Sequence, residues 1–241
     1  MKISIVIPAF NEERLLPATL RSVQEAALAF EAAGWSSELI VCDNNSTDRT
    51  AEIAAAAGAR VVHEPINQIS RARNTGAAAA TGDWLVFVDA DSHPSAGLFA
   101  SVAGAIRRGD VMAGGATVAA DDERLVVRAT VAGWNLISRT VGWLAGSFIF
   151  CERAAFQRVG GFSHALYAGE EIDLSRRLKR LARRERKRIV VLHRHPLLTS
   201  ARKAHLYDAR DALRFYARVI LTAGRSLRSR EGTFLWYDGR R

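Results

Sequence analysis

The chain has 241 residues, of which 49% are hydrophobic, enough for one large α/β domain with a substantial core. Its formal net charge is +9, and residues 176–188 alone supply +8, with nine Arg or Lys residues and one acid. No aromatic residues interleave with these basic side chains, and no zinc-finger or RNA-recognition signature occurs, so nucleic acid is not an expected partner.

The basic segment leaves two interpretations open. It is either a solvated helix face or a surface for anionic lipid or a polyanionic acceptor. Cys42 and Cys151 lie in apolar contexts without metal-ligand spacing, so we expect reduced core residues. The apolar start of the chain is too short for a signal peptide or a spanning helix. The expected location is therefore the cytoplasm, with peripheral contact at the inner face of the membrane as an extension.

The first ninety residues alternate predicted strands and helices. An apolar run at 3–7 predicts a strand that Pro8 ends, and apolar residues spaced by four and three from Leu16 to Phe30 predict an amphipathic helix. Further strands are predicted at 38–42, 60–63 and 84–88, with helices at 49–58 and 70–80 between them. This alternation predicts a Rossmann-like α/β domain with a mostly parallel sheet flanked by helices.

Polar side chains follow three of these strands, at Asn11 and Glu12, at 43–45, and at Asp89 and Asp91. Ligands of open α/β sheets bind beyond the carboxyl ends of the strands, so a single ligand could touch all three groups. Two carboxylates one residue apart can share Mg²⁺ or Mn²⁺, whose other ligands are often phosphate oxygens and water. The pair thus favours a metal-bound diphosphate over its alternative, a solvated turn. No glycine-rich phosphate loop follows the first strand.

The second half predicts strands at 111–119 and 188–192 and helices at 122–141 and 204–223, followed by a frayed basic tail at 225–241. Gly114 and Gly115 indicate a close backbone approach in the first of these strands. Arg128 and Arg139 interrupt the apolar run of the 122–141 helix, so it is too broken to span a bilayer. We expect a packing surface there, with interfacial membrane contact as the alternative.

Four ordered motifs resemble the inverting family 2 glycosyltransferases of the GT-A fold. They read ISIVIPAFNEE at 3–13, VCDNNSTD at 41–48, RARNTG at 71–76 and DAD at 89–91. The resemblance implies a single GT-A domain at 1–224, with a nucleotide-sugar-binding half at 1–92 and an acceptor-side half at 93–224. It also implies inverting transfer of a sugar from a UDP- or GDP-linked donor to an unknown acceptor hydroxyl, with Mg²⁺ or Mn²⁺ as cofactor.

Individual roles follow from the same resemblance. The implied donor-binding residues are Pro8, Phe10, Glu12, Asp43, Asn45, Arg73, Asp89 and Arg202. Arg202 ends a Thr-Ser-Ala-Arg sequence that resembles a bacterial subgroup, where a basic residue approaches the leaving diphosphate. The implied metal ligands are Asp89 and Asp91, and His193 or His195 is a candidate for an extra ligand, for which we take His195.

The expected general base lies in a helix start that reads GEEIDL at 169–174. Family members usually carry Glu-Asp-x-Asp-Leu here, so Glu171 occupies the position of an aspartate, with Glu170 and Asp173 as alternatives. The longer side chain matters because a base needs hydrogen-bond reach to its proton. Three acids at a helix start are also explained by the helix dipole alone.

Two rival functions remain at this point. A nucleotidyltransferase also presents acids and metal on a Rossmann-like sheet, but its usual glycine-rich loop is replaced by PAFN at 8–11. A catalytically inactive nucleotide-sugar-binding or scaffold protein is disfavoured by the intact Asp89 and Asp91 and kept open by the unusual Glu171. An assay of donor hydrolysis with several nucleotide sugars distinguishes the expected glycosyltransferase from these two rivals.

Overall fold

The computed structural model describes residues 1–200, 202, 214, 222 and 225–233. Within them, a mixed eight-stranded sheet carries helices on both faces, which confirms the predicted α/β class. In chain order the strands are β1 (Lys2–Ala9), β2 (Ser36–Asp43), β3 (Arg60–His63), β4 (Trp84–Val88), β5 (Ser92–His93), β6 (Val111–Ala120), β7 (Phe148–Glu152) and β8 (Arg188–Thr199). The helices are α1 (Leu16–Glu31), α2 (Thr50–Ala56), α3 (Ile69–Ala79), α4 (Ala96–Arg107), α5 (Leu125–Val141), α6 (Arg153–Arg158) and α7 (Glu170–Arg184).

The strand order is β3-β2-β1-β4-β7-β6-β8-β5. The first four of these strands pair in parallel, as predicted for a Rossmann-like half. Strand β7 runs antiparallel to both β4 and β6, while β8 is parallel to β6 and β5 is antiparallel to β8. Because of these directions, β1, β2 and β4 end at the same edge of the sheet at which β7 begins.

Side chains of β1 alternate between two apolar layers, one on each face of the sheet. Ile5 and Ile7 of β1 belong to the layer that contains Phe30 of α1 and Phe99 of α4, whose ring centroids lie 4.9 Å apart. Val6 belongs to the opposite layer, which α3, α6 and α7 cover. The period of two along β1 therefore buries the strand on both faces, which explains its mostly apolar sequence.

The ends of several elements differ from prediction. Strand β1 continues through Pro8 to Ala9. It pairs with β4 only from Ile3 to Val6, so Pro8 lies beyond that ladder and costs it no donor. Strand β8 runs seven residues beyond its predicted end, to Thr199, because its second half pairs with β5 and with the end of β6.

Residues 225–233 form two short 3₁₀ helices, and the backbone N–H of Tyr167 donates to the carbonyl of Leu227 at 2.8 Å. The prediction of a frayed tail is therefore wrong for this stretch. Residues 234–241 and nearly all of the predicted helix at 204–223 lie outside the described residues.

Helix α5 is mostly exposed, and Ser138 is its one buried residue. The prediction that this helix is mainly a packing surface is therefore wrong. Among the residues that the structure describes, none of the helices has the length and apolar character that crossing a bilayer requires.

Both cysteines are buried and unpaired, as predicted. Burial raises the pKa of the Cys42 thiol to about 12 and raises the pKa of the Cys151 thiol as well. Gly114 also behaves as predicted, since a side-chain carbon there would lie 2.5 Å from the ring of Phe150. Cys42, Cys151 and Gly114 are therefore core positions, and neither thiol is exposed to solvent.

Glu38 connects three segments at the edge of the sheet where β1 begins. Its Oε1 accepts hydrogen bonds from the Ser4 hydroxyl at 2.5 Å and from the Thr81 backbone N–H at 2.7 Å. Its Oε2 accepts from Lys2 Nζ at 2.9 Å. Burial alone would raise the pKa of Glu38, but these bonds hold the pKa at about 2.

We predict that Glu38→Gln lowers the free energy of unfolding at pH 7 by about 1–3 kcal/mol, because the charge-assisted bonds are lost. A lowered folded-state pKa stabilises the protein above the unfolded value of 4.5, and that stabilisation disappears as pH falls toward about 2. Urea denaturation at a series of pH values should show the two proteins converging over this window. Glu25→Gln, at an exposed site of α1, is the matched control. A difference that does not depend on pH contradicts the prediction.

Candidate active site

The loops that follow β1 and β2 are hydrogen-bonded to each other. The Asn11 N–H donates to the Ser46 hydroxyl at 2.9 Å, and the Asn11 side-chain oxygen accepts from the Thr47 N–H at 2.8 Å. Asn11 has a φ of 51°, a left-handed conformation that asparagine tolerates better than most residues. The polar groups at the ends of these two strands are therefore brought together, as expected from the parallel sheet.

The residues predicted to hold the donor base and ribose surround these loops. Pro8 and Asp43 are buried, Phe10 is half-buried and Asn45 is exposed. Asp43 accepts a hydrogen bond from the Ser46 N–H at 3.3 Å, and its other oxygen lies 3.3 Å from His63 Nδ1. These side chains share one edge of the sheet.

Arg202 connects the first loop to the end of β4. Its two Nη atoms donate to the two carboxylate oxygens of Glu12 at 3.0 and 2.7 Å, in a bidentate pair. Its Nη2 also lies 3.9 Å from Asp91 Oδ2, and the Ser200 N–H donates to the Asp91 carbonyl at 3.1 Å. Burial alone would lower the pKa of Arg202, but its bond to Glu12 raises it. The structure thus joins three predicted site residues that are far apart in sequence.

Arg73 lies inside the protein, with only 2% of its surface exposed. Its Nη1 donates to Glu170 Oε1 at 2.8 Å, and its Nη2 donates to Asp89 Oδ1 and to the Gly146 carbonyl, each at 2.8 Å. Its guanidinium also lies over the ring of Phe162, 5.1 Å from the ring centroid. Donor binding by Arg73, near the base or the diphosphate, stays a prediction. The contacts of the buried side chain join the end of β4 to the start of α7.

The three acids of α7 have different surroundings. Glu170 is buried and paired with Arg73. The Asp173 side chain is 38% exposed, accepts a hydrogen bond from Arg177 Nε at 2.8 Å, and lies 2.6 Å from Arg177 Nη2 in an ion pair. Glu171 is half-buried, and a side-chain carbon built at Gly146 would lie 3.5 Å from its Cγ. Glu171 therefore lies beside the Arg73 cluster, which consists of Arg73, Glu170 and Asp89.

Burial and the negative charge of Glu170 raise the pKa of Glu171 to about 7. Burial also raises the pKa of Glu170, although the charge of Arg73 opposes this shift. A carboxyl group that titrates near neutrality can accept a proton in a reaction at physiological pH.

Asp89 and Asp91 lie just beyond β4 with side chains that are 27% and 19% exposed. The Asp89 N–H donates to the Ser147 carbonyl at 3.1 Å, which fixes the segment against the start of β7. Two partly exposed carboxylates suit Mg²⁺ or Mn²⁺, which take one or two protein carboxylates and leave the other positions to phosphate and water.

His195 does not join this pair. Its ring packs against the first turn of α4, where a side-chain carbon at Gly97 would lie 2.6 Å from its Nδ1. Within the described part of the chain, no three His, Cys, Asp or Glu residues are grouped closely enough to hold a metal ion. His195 as an extra metal ligand stays a prediction that the geometry of the described residues does not support.

The sequence analysis did not identify the buried amides of Asn44 and Gln68, or Gly146, whose carbonyl accepts from Arg73. Asn44 accepts from the Gln68 N–H at 2.9 Å and donates to the Ile66 carbonyl at 2.7 Å. The Gln68 side chain donates to the carbonyls of His164 and Leu166 at 2.8 and 2.9 Å. Both amides support the loops around the site. Asn44 stands in a polar run that suggested a site, but no sequence signal pairs it with Gln68 or singles out Gly146.

The mixed sheet with helices on both faces defines a protein of the GT-A fold, as the similar solved structures show. Staphylococcus aureus TarS 1–349 in complex with UDP is similar, with a TM-score of 0.65 and 19% identity over 93% of this chain and 65% of that chain. Glucosyl-3-phosphoglycerate synthase from Mycobacterium tuberculosis, in complex with Mn²⁺, UDP and phosphoglyceric acid, has a TM-score of 0.60 and 23% identity over 92% of this chain and 78% of that chain.

The profile of Glycosyl transferase family 2 matches residues 4–162, so the chain belongs to this family. An uncharacterized glycosyltransferase of Mycobacterium tuberculosis is 40% identical over 95 residues, which are 39% of this chain and 39% of that protein. The matched segments span between 20% and 39% of the curated relatives' own lengths.

We predict that Arg73→Met lowers the free energy of unfolding by about 3–5 kcal/mol, because it leaves Glu170 buried without its partner. Adding Glu170→Gln should recover part of this loss, since the buried charge is then removed as well. Urea denaturation of the single and double variants measures the coupling. Arg71→Met, two residues earlier on α3 at a half-buried site, is the control. Equal losses of unfolding free energy in Arg73→Met and Arg71→Met would contradict a special role for the Arg73 ion pairs.

Proposed function

We propose that the chain is an inverting, metal-dependent glycosyltransferase that moves a sugar from a nucleotide-diphosphate donor to an acceptor hydroxyl, with Glu171 as the general base. The observation that carries this proposal is the position of Glu171. It is half-buried, has a pKa raised to about 7, and lies beside the Arg73 cluster that also contains Asp89.

The neighbouring acids support this choice of base. Glu170 is committed to an ion pair with Arg73, and Asp173 is committed to Arg177 on the same helix. A carboxylate bound to a guanidinium is less available to an acceptor hydroxyl, because its hydrogen bonds to the arginine must first be lost. Glu171 has a pKa raised to about 7, which suits proton abstraction near neutral pH.

The proposed donor site lies at the ends of β1, β2 and β4. Pro8, Phe10, Glu12, Asp43 and Asn45 would hold the base and ribose, and Arg202 would lie at the diphosphate. UDP is the favoured nucleotide because TarS and glucosyl-3-phosphoglycerate synthase were both solved with UDP, and GDP is the alternative. Arg73 is a positioning residue in this proposal, since it is buried behind Asp89 and Glu170.

Asp89 and Asp91 are the proposed ligands of Mg²⁺ or Mn²⁺. Mn²⁺ is present in the similar synthase structure, which supports a divalent ion without choosing between the two. When bound, the ion would supply positive charge to the leaving diphosphate.

The proposed reaction is one displacement at the anomeric carbon. Glu171 takes the proton of the acceptor hydroxyl, and the oxygen forms a bond to the anomeric carbon from the face opposite the diphosphate. The bond from that carbon to the diphosphate oxygen breaks, and its electron pair leaves with the nucleoside diphosphate. A single displacement inverts the configuration of the sugar.

The proposed location is the cytoplasm, with peripheral contact at the inner face of the membrane. Two free, buried cysteines suit a reducing compartment. The basic segment at 176–188 suits an anionic surface.

We predict that Glu171→Gln lowers turnover by about 10²- to 10⁴-fold while donor binding stays nearly unchanged, because the amide cannot accept the proton. Glu171→Asp should keep measurable activity. The unmodified enzyme should gain activity as pH rises through about 7, because the raised pKa must be passed before the base is ionised. Donor hydrolysis and transfer assays with several nucleotide sugars provide the measurement.

Asp173→Asn is the control for this experiment, since its partner Arg177 lies on the same helix face. Near-normal turnover of Glu171→Gln would contradict the proposed base. Absence of activity with every donor in the unmodified protein, while donor still binds, would favour the inactive binding protein instead.

We predict that Mn²⁺ or Mg²⁺ strengthens binding of a nucleoside diphosphate and that Asp91→Asn loses most of this enhancement, because a carboxylate ligand is replaced by a weaker neutral one. Isothermal titration calorimetry with UDP and with GDP, in metal and in chelator, provides the measurement. Asp121→Asn, at an exposed site after β6, is the matched control. Equal affinity with metal and with chelator in the unmodified protein contradicts the proposed site.

A further inference from the structure

Helix α5 presents large apolar side chains to solvent. Leu125, Val126 and Leu136 are 80%, 77% and 64% exposed, and Ile137 and Val141 are also exposed. These residues form one outward surface along the helix, which we call the α5 outer face. Exposed apolar patches of this kind mark interaction surfaces in soluble domains.

The polar groups of α5 suit an apolar environment. The helix contains no acid, and its two charged residues, Arg128 and Arg139, are both exposed. The Thr130 hydroxyl donates to the Val126 carbonyl at 2.8 Å, and the Thr140 hydroxyl donates to the Leu136 carbonyl at 2.9 Å. Since each hydroxyl has a partner within the helix, neither requires water, and long arginine side chains can extend to a polar boundary.

The opposite side of α5 is fixed to the protein. The Asn135 side chain exchanges two hydrogen bonds of 2.9 Å with the backbone of Val118 in β6. At the other end, Lys179 Nζ donates to the Val141 carbonyl at 2.7 Å. These bonds hold the α5 outer face toward solvent, so its exposure belongs to the folded domain.

A cationic cleft of about 300 Å³ lies between the end of α5 and α7. Its lining residues are Val141, Trp143, Ser175, Arg176, Lys179, Arg180 and Arg183. Four of the seven are cationic and none is acidic, and the Arg176 guanidinium lies 5.4 Å from the ring centroid of Trp143. Guanidinium and ammonium groups that converge beside an aromatic ring suit a phosphate group at a polar–apolar boundary.

We infer that the α5 outer face and the α5–α7 cleft together dock the protein on a bilayer of anionic phospholipid. The apolar residues of α5 lie in the interface, and the cleft takes a lipid phosphate. Charge complementarity carries the choice of partner, because the apolar helix and the adjoining cleft have cationic side chains and no acidic ones. The inference rests on the proposed membrane contact and specifies its surface, and it does not depend on Glu171 as the base.

Docking in this way would bring the start of α7 to the membrane surface. Ser175 lines the cleft, and its hydroxyl donates to the Glu171 carbonyl at 2.7 Å and accepts from the Leu144 N–H at 3.1 Å. The cleft is therefore one helical turn from the proposed base.

The test is sedimentation of the full chain with phosphatidylcholine vesicles, with and without phosphatidylglycerol. Each basic residue near an anionic surface is worth about fivefold in binding, so the triple variant Arg176→Gln, Arg180→Gln, Arg183→Gln should bind anionic vesicles about a hundredfold more weakly. The triple variant Arg21→Gln, Arg60→Gln, Arg108→Gln removes the same charge from exposed sites elsewhere and is the control. Binding should also weaken as salt rises, since screening acts over about 8 Å at physiological salt.

Contact by α5 is measured separately. Leu136→Cys, labelled with an environment-sensitive dye, should report an apolar environment on anionic vesicles, because the native cysteines are buried and do not compete for the label. Leu28→Cys, at an exposed apolar site of α1, should not.

Three results would overturn the inference. They are the absence of binding to anionic vesicles, equal losses in the two triple variants, and a dye response at Leu136→Cys that follows self-association without vesicles. Donor hydrolysis in vesicle-free buffer tests the enzymatic proposal independently, so a failure of one is distinguishable from a failure of the other.

Discussion

The buried guanidinium of Arg73 is the interaction on which the site depends. It bonds Asp89, at the end of β4, and Glu170, at the start of α7, and so joins the strand that carries the proposed metal ligands to the helix that carries the proposed base. A buried ion pair gives little net stability, because desolvation offsets much of the attraction. Its effect here is geometric: both carboxylates are held at fixed distances from one planar group, so the two parts of the site cannot move apart independently.

The antiparallel strand β7 makes this arrangement possible. It pairs with β4 in the opposite direction, with Val88 opposite Phe148, so the residues before β7 lie where β4 ends. Gly146 thereby offers its carbonyl to Arg73, and Ser147 accepts from the Asp89 N–H. If β7 were parallel to β4, the residues before β7 would lie at the edge of the sheet where β4 begins, away from Asp89. The mixed second half of the sheet therefore places Gly146 and Ser147 against the end of a parallel strand of the Rossmann-like first half.

The fold of the first half of the chain could be predicted from sequence because its signals are local. Apolar runs identify strands, and parallel strands must end at one edge, so Asn11, Asp43 and Asp89 were expected together. The burial of Arg73, the position of His195 and the exposure of α5 depend on which distant segments pack against them. The interrupted apolar run at 122–141 predicts a helix, but it cannot show whether a protein layer covers the apolar side chains of α5. The sequence pattern also does not show that Arg202 forms an ion pair with Glu12, which is far away in the chain.

The glutamate at position 171, where family 2 members usually carry aspartate, lies beside Gly146. A side-chain carbon at Gly146 would lie 3.4 Å from Arg73 Nη2 and 3.5 and 3.6 Å from Cγ and Cδ of Glu171, all ordinary van der Waals distances. Alanine would therefore fit at position 146, so the glycine does not explain the longer side chain at position 171. The position of Glu171 follows instead from the start of α7, which the Arg73 ion pairs with Glu170 and Asp89 join to the end of β4. The substitution of aspartate by glutamate thus changes the reach of the proposed base, while the ion pairs that position its helix stay in place.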